Sequence, residues 1–410
     1  MHLVIFEGNL WPSLAPFSFS RPVFALHCGT GTLLEQQIRA LSPSRLTLWV
    51  RPNMVGFCKS QLLPRLSIPA DVNVPLGDQP ALLSSGRLVH MEPYQPAKDP
   101  FVELDEHGRV ARAWVHAPGL SFQDCLRRSD AWLKLLDLPH LPRRGWIAQY
   151  AWDLAGWNEQ AIVAHAKSLA PSRSKKPGPY HMAADEAVYL SDDAQIGPGA
   201  VLDASKGPVI VESGANIGAN SVLEGPCYVG NQSVIVPLTL IRGGTSIGPG
   251  CKVGGEIKSS IMLANSNKAH YGYLGDSYVG EWVNLGAGTT TSNLKNTYGL
   301  IKAHLGSRQI PTGRQFVGSL IGDHAKLAIG TRLMSGSYVG YCAMWAASAI
   351  APRMIGSMSY WTDKGREQYK ADKAIEMITA VYARRGRAWT EEDHQMLHYA
   401  AETAEEVERG

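Results

Sequence analysis

One histidine, His270, and two cations, Arg242 and Lys258, carry the strongest chemical hint in this 410-residue chain. A neutral imidazole, with an unperturbed pKa of ~6.5, is suited to accepting a proton at physiological pH. An arginine fork beside a lysine point charge makes a good phosphate clamp. Taken alone, a histidine more often satisfies a loop carbonyl, and two cations more often lie solvated on a strand face. Here, however, they fall in a run of six-residue units of the form aliphatic-Gly-x-x-x-x. Ile196-Gly197, Ile217-Gly218, Val229-Gly230, Ile247-Gly248, Val253-Gly254, Leu274-Gly275, Val279-Gly280 and Leu285-Gly286 all fit it. Gly218, Gly230, Gly248 and Gly254 are separated by 12, 18 and 6 residues, all multiples of six.

That register is the signature of a hexapeptide β-helix, in which each unit supplies one short strand and one turn. The aliphatic residue points into a narrow core, and glycine permits backbone at a corner that a Cβ would crowd. Sixteen residues separate Arg242 from Lys258, close to one 18-residue coil, so both side chains are expected to face one groove. The pattern fades between Ser259 and His270 and between Asn293 and Phe316, where loops or irregular coils are expected to leave the helix. Such excursions are where solenoids usually carry function.

The sequence predicts four segments. Residues 1–170 form an α/β domain, with strands at Leu3–Phe6 and Thr47–Val50, a helix at Thr32–Leu41, and helices over 121–138 and 153–169. Residues 171–184 are a Pro/Ser/Lys/Gly linker, 185–355 the β-helix, and 356–410 a pair of helices near 362–383 and 390–407. The helices are expected to cover the last coil or to pack on a neighbouring subunit, since an open solenoid end needs a cover. A net charge of +3 is too small to argue for nucleic acid. Six scattered cysteines without a CxxC pair argue against zinc and disulfides and fit a reducing, cytoplasmic setting. The N-terminus does not read as a signal peptide, and no 18-residue apolar run predicts a membrane span.

The segment His270-Tyr271-Gly272-Tyr273-Leu274-Gly275-Asp276, with Val283-Asn284-Leu285-Gly286-Ala287-Gly288-Thr289 and Ser292-Asn293, resembles the acetyltransferase half of bacterial bifunctional enzymes that make UDP-N-acetylglucosamine. The likeness extends through Ile241-Arg242-Gly243-Gly244, Gly255-Glu256-Ile257-Lys258 and Ile321-Gly322-Asp323-His324. The whole chain looks most like a variant branch with a shortened, sugar nucleotidyltransferase-like N-terminal domain (Phe6-Glu7-Gly8, Phe19-Ser20-Arg21-Pro22-Val23, Thr312-Gly313-Arg314-Gln315-Phe316). The resemblance implies a Rossmann-like α/β domain followed by a left-handed parallel β-helix. It places His270 at the general-base position, Arg242 and Lys258 at the sugar phosphate, and Tyr273, Asn284 and Asn293 against substrate. Tyr273 reads otherwise as a packing aromatic, and Asn293 as a turn former. His324 reads as a surface histidine on a turn.

The same likeness implies acetyl-CoA as co-substrate, bound on coils 321–340 of a neighbouring subunit, amino-sugar phosphates and nucleotides as the small-molecule ligands, and a homotrimer. In the N-terminal half it nominates Gly8 and Arg21 for nucleotide phosphates and Asp78, in Gly77-Asp78-Gln79-Pro80, for Mg²⁺. That half departs from the family pattern: its loop Glu7-Gly8-Asn9-Leu10-Trp11-Pro12 has a single glycine, and Gly-Asp is equally an ordinary turn. Two alternatives remain open at this point. One is a sugar-1-phosphate nucleotidyltransferase whose β-helix only trimerises or regulates, and the other a non-catalytic trimeric scaffold.

Overall fold

A computed structural model describes residues 1–91, 94–96, 99–167 and 178–409. The predicted linker therefore lies, up to residue 177, outside the described residues. By contacts the chain divides into two compact units. One comprises Met1–Leu14, Arg21–Leu26 and Gly31–Gln149; the other comprises Ala15–Ser20, His27–Thr30 and the chain from Tyr150 onward.

In the first unit the apolar run His2–Phe6 is the inner strand of a mixed sheet. Arg45–Trp49 and Ala81–Ser85 pair with it in parallel on either side, and Ala70–Val72 extends the parallel part. Val110–Val115 and Phe101–Leu104 complete the other edge antiparallel. A nearly continuous apolar strand is what a sheet covered on both faces requires. The helix expected at Thr32–Leu41 forms over Leu33–Leu41, and Thr32 and Glu35 close a reciprocal capping box at its start. The helix predicted over 121–138 is broken. Phe122–Arg127 ends at Arg128 in the left-handed region (φ 51°), and the Ser129 hydroxyl recaps Asp130–Leu133.

The second unit is built on the β-helix. Every third strand stacks in parallel with the next, giving three faces. The first face runs from His181–Ala183 through Val222–Glu224, Leu240–Ile241 and Glu256–Lys258 to Tyr273–Gly275. The second runs from Val188–Leu190 to Met354–Ile355, and the third from Gln195–Ile196 to Ser359–Thr362. The sequence expectation of a left-handed β-helix is borne out. Its core is columns of aliphatic side chains; Ile217, Ile235, Val253, Leu285 and Leu327 are all buried in one of them. The glycines serve the stacking: a Cβ on Gly197 would lie 2.7 Å from the Ala219 nitrogen of the next coil.

Of the two stretches where the repeat fades, only one leaves the β-helix. Asn293–Phe316 departs, with an antiparallel hairpin at Lys302–Leu305 and Arg308–Pro311. Ser259–His270 stays, forming the strands Ile261–Met262 and Asn267–Lys268. Its repeat is hidden because the coil is short. Ile235 to Val253 is 18 residues, whereas Val253 to its partner Lys268 is 15.

The helix Ala151–Ala166, expected with the N-terminal domain, clusters with the β-helix. Ile162 and Ala166 pack on Ile210 and Tyr228, and the Asn158 amide donates to the Gly244 carbonyl (2.8 Å) and the Ser246 hydroxyl (2.9 Å). After the last coil the chain forms a hairpin, Ser359–Thr362 with Gly365–Gln368, where helix was expected. Helices Ala371–Ala383 and Glu391–Arg409 follow. They lie along the side of the β-helix: Tyr382 packs on Trp282, with ring centroids 4.6 Å apart, and the Glu408 carboxylate accepts from the Tyr338 hydroxyl (2.9 Å) and the Ser357 amide (2.8 Å). Among the described residues no helix is long and apolar enough to cross a membrane.

Lys326 gives this body a specific pH response. Its ammonium donates to the carbonyls of Trp282 (2.5 Å) and His324 (3.2 Å), and burial pushes its pKa down to about 8. Above pH 8 unfolding takes up a proton at this site, so Lys326 adds stability as pH rises from 8 toward its unfolded value of ~10.4. In urea titrations at pH 8 and pH 10, the stability difference between wild type and Lys326→Met is expected to shift in favour of wild type at the higher pH.

Candidate functional site

The register of the first face explains how Arg242 and Lys258 come together. Leu240 and Ile241 pair with Glu256 and Ile257, so the residue after each inward isoleucine, Arg242 or Lys258, projects from adjacent coils at one level. The next coil pairs Glu256 with Tyr273 and Lys258 with Gly275. Glu224, Arg242 and Lys258 thus form one outward column, with Tyr273 in the column beside it. Arg242, 42% exposed, touches Glu224 (3.6 Å) and Glu256 (3.2 Å). Exposed pairs of this kind contribute only ~0–1 kcal/mol, so a phosphate dianion can displace them. The Lys258 ammonium stands 6.0 Å over the Phe316 ring, on the returning excursion.

Asn293 is the link the sequence left undecided. Its amide donates to the Tyr273 hydroxyl (3.1 Å) and to the Asp276 carboxylate (2.6 Å). Burial raises the Asp276 carboxyl above its usual range, while Asn293, Lys258 and Arg314 oppose the shift. Burial also lifts the Tyr273 phenol to about 12, assisted by the charges of Asp276 and Glu256, which keeps it a hydrogen-bond donor at neutral pH. Asp276 and Arg314 were not among the predicted site residues. Arg314 is held by Asp153 at 3.3 Å and reaches the group through a fold-back of some twenty residues.

His270 lies exposed at the corner between the third face, at Asn267–Lys268, and the first, at Tyr273–Gly275. Gly272 (φ 120°) turns that corner, where a Cβ would collide with the Thr289 carbonyl oxygen. Asn284 is exposed on the third face, paired with Asn267 below and Lys326 above. One chain therefore gathers Arg242, Lys258, Tyr273 and Asn293, sets His270 at the adjoining corner, and leaves Asn284 on the neighbouring face. His324 corrects an expectation: it is only 7% exposed, because the Ala371–Ala383 helix brings Tyr382 over it, ring centroids 6.0 Å apart.

In the first unit a cleft opens at the C-terminal ends of the strands His2–Phe6 and Ala81–Ser85, on the lining formed by Gly8, Asn9, Arg87, Arg109 and Arg128. The chain runs from His2–Phe6 to one side of the sheet and later returns to the other, and ligands settle at such switch points. Its volume of about 210 Å³ falls below the ~300–1,000 Å³ usual for small-molecule sites, enough to enclose a phosphate chain. Gly8, nominated for nucleotide phosphates, is on its lining. Arg21 is buried beside the Glu7–Arg51 ion pair, its carbonyl accepting from Arg51 (3.4 Å), and Asp78 is exposed on a loop. The arginines that do line the cleft are far apart in sequence and carry no motif.

Residues 3–174 match the family model described as sugar nucleotidyl transferase. The expected resemblance to bifunctional nucleotidyltransferase/acetyltransferase enzymes is borne out by relatives matched over part of the chain. The chain is 34% identical over 153 residues to the "Bifunctional sugar-1-phosphate nucleotidylyltransferase/acetyltransferase" of Sulfurisphaera tokodaii, covering 37% of this chain and 38% of that one. It is 38% identical over 149 residues to the "Bifunctional protein GlmU" of a Jannaschia species, covering 34% and 33%. The Methanocaldococcus jannaschii protein of the same name is 36% identical over 172 residues, covering 42% and 40%. The matches thus span between a third and two fifths of these relatives' length.

Proposed function

We propose that the chain is an N-acetyltransferase that moves acetyl from acetyl-CoA to the amine of an amino-sugar 1-phosphate, with glucosamine-1-phosphate the expected acceptor. The observation that carries this reading is the register that stacks Arg242 on Lys258 beside Tyr273 and ends at the corner bearing His270. In the reaction His270 takes the amine proton as nitrogen attacks the thioester carbonyl. The C–N bond forms, the C–S bond breaks, and the CoA thiolate leaves to become the thiol. Arg242 and Lys258 hold the phosphate, while Tyr273 and the Asp276-anchored Asn293 orient the sugar.

Asn284 would complete the set from a neighbouring copy, whose coils 321–340 would offer the acetyl-CoA surface. Supporting assembly, the corner that bears His270 is an apolar ridge in the single chain: Leu238 is 78%, Tyr271 74% and Ile329 79% exposed. A homotrimer working in the cytoplasm is the expected form.

Charge-assisted hydrogen bonds contribute ~1.5–3 kcal/mol each. Arg242→Ala and Lys258→Ala are therefore each expected to lower kcat/KM for glucosamine-1-phosphate roughly 10- to 150-fold. The slow rate with glucosamine, which lacks the phosphate, should change little. Equal losses on both acceptors would remove the clamp from this reading.

A second activity, nucleotidyl transfer to a sugar 1-phosphate in the N-terminal unit, is favoured by the family match over residues 3–174. Arg87, Arg109 and Arg128 would neutralise the nucleotide phosphates over the Gly8 loop. The residues present do not fit Mg²⁺ at the cleft. Among the described residues its only lining carboxylates, Glu7 and Asp105, are paired with Arg51 and Arg109, and Asp78 does not line it.

A further inference from the structure

The core column beneath the His270 corner contains one lysine. Ile217, Ile235, Val253, Leu285, Leu327 and Trp345 occupy the inward position on other coils, and Lys268 occupies it between Val253 and Leu285, 1% exposed. Its four-carbon stem fills the space a leucine would fill. Its ammonium donates to the main-chain carbonyls of Gly254 and of His270 itself, both at 2.9 Å.

The short coil makes the room for it. Between Val253 and the strand Glu256–Lys258 only Gly254 and Gly255 turn the corner, whereas Val236 to Thr239 turn it one coil below. A Cβ on Gly255 would lie 3.0 Å from the Lys268 nitrogen and 2.6 Å from the Gly272 carbonyl oxygen. Two missing side chains and a tightened turn therefore leave a polar niche directly under residues 270–272.

Stability alone does not call for a cation there. Taking an ammonium out of water is unfavourable, and replacing buried charges with apolar groups of similar volume is often neutral or stabilising. The other coils, from Ile196 to Trp361, fill the column with apolar side chains. Burial pushes the Lys268 pKa down to about 8, so at neutral pH the group is still mostly an ammonium and its bonds are charge-assisted.

We propose that Lys268 is a positioning residue for the general base: by gripping the carbonyls of Gly254 and His270 it ties the His270 corner to the coil below and fixes where the imidazole stands. The inference rests on the acetyltransferase reading and on His270 as its base. A displacement of about 1 Å in a reacting group can cost on the order of a hundredfold in rate.

The test is a double-mutant cycle on the full-length protein, with acetyl-CoA and glucosamine-1-phosphate and with thermal unfolding measured alongside. Lys268→Met, which keeps the stem volume, is expected to lower kcat ten- to a hundredfold with KM for both substrates within twofold. Its melting temperature should match or exceed that of wild type. In the His270→Ala background Lys268→Met should cause no further loss, because a residue acting through His270 has nothing left to position. An unchanged kcat, a loss that multiplies that of His270→Ala, or a loss that follows a fall in melting temperature overturns the positioning role. Absence of transfer by wild type, or transfer insensitive to His270→Ala, is seen before Lys268 is touched; it overturns the base assignment and the proposal with it.

Discussion

His270→Ala is expected to slow CoA-thiol release at least a hundredfold, within the ~10²–10⁴ that general bases typically contribute. The melting temperature should stay where it is. The side chain is exposed at a corner whose geometry is kept by Gly272 and by main-chain bonds, among them the Gly288 amide to the Tyr271 carbonyl at 3.1 Å. Parallel thiol-release and differential scanning measurements on the two proteins decide it. A hundredfold loss without a shift in melting temperature assigns the proton transfer to His270. Loss of both would mean that the corner had collapsed. Under the second proposed activity, nucleotide turnover by the N-terminal unit would survive the substitution, which would separate the two proposals.

The second large effect is expected in the N-terminal unit. Glu7 is buried, with its carboxylate held by the Arg51 guanidinium and accepting from the Val23 amide (3.1 Å) and the Arg51 amide (3.3 Å). Arg51 in turn lies 4.2 Å over the Trp11 ring. Burial raises the Glu7 pKa and Arg51 opposes that shift, so removing Arg51 leaves a carboxylate that must stay charged without a partner or take up a proton. Breaking a buried pair from one side costs ~3–5 kcal/mol, whereas replacing both members by apolar groups can be nearly neutral. Arg51→Met is expected to destabilise this unit by that amount in urea unfolding followed by tryptophan fluorescence. Glu7→Leu combined with Arg51→Met should recover most of it. A single-variant cost below about 1 kcal/mol would mean that the pair is solvated.

The loop around Glu7 shows why the two halves differ in legibility. In the β-helix each coil repeats one physical problem: an aliphatic residue faces a narrow core, and a glycine sits where the next coil's backbone approaches within contact, as at Gly197. Repetition writes that solution into the sequence many times, so the fold and the stacking of Arg242 on Lys258 could be read from spacing. Lys268 escaped because the 15-residue coil before it breaks the count of six, and its inward position emerges only from the pairing with Val253. Asp276 and Arg314 escaped because the excursion Asn293–Phe316 must fold back before they approach Asn293 and Lys258. In the N-terminal unit nothing repeats. Gly8 was nominated only by the likeness of its loop to nucleotidyltransferase loops, and Arg87, Arg109 and Arg128 reach one cleft through three different elements that no local signal marks. Glu7 looked like part of a phosphate loop, and packing has instead paired it with Arg51.

The central claim, acetyl transfer to an amino-sugar phosphate, is tested most directly by the product itself. Wild-type protein would be incubated with acetyl-CoA and glucosamine-1-phosphate and the sugar analysed by mass spectrometry. Conversion of the acceptor to its N-acetyl form, in step with free CoA and abolished by His270→Ala, is the expected result. CoA released by hydrolysis while the sugar stays unacetylated, or an unchanged mixture, would contradict the proposal for this acceptor.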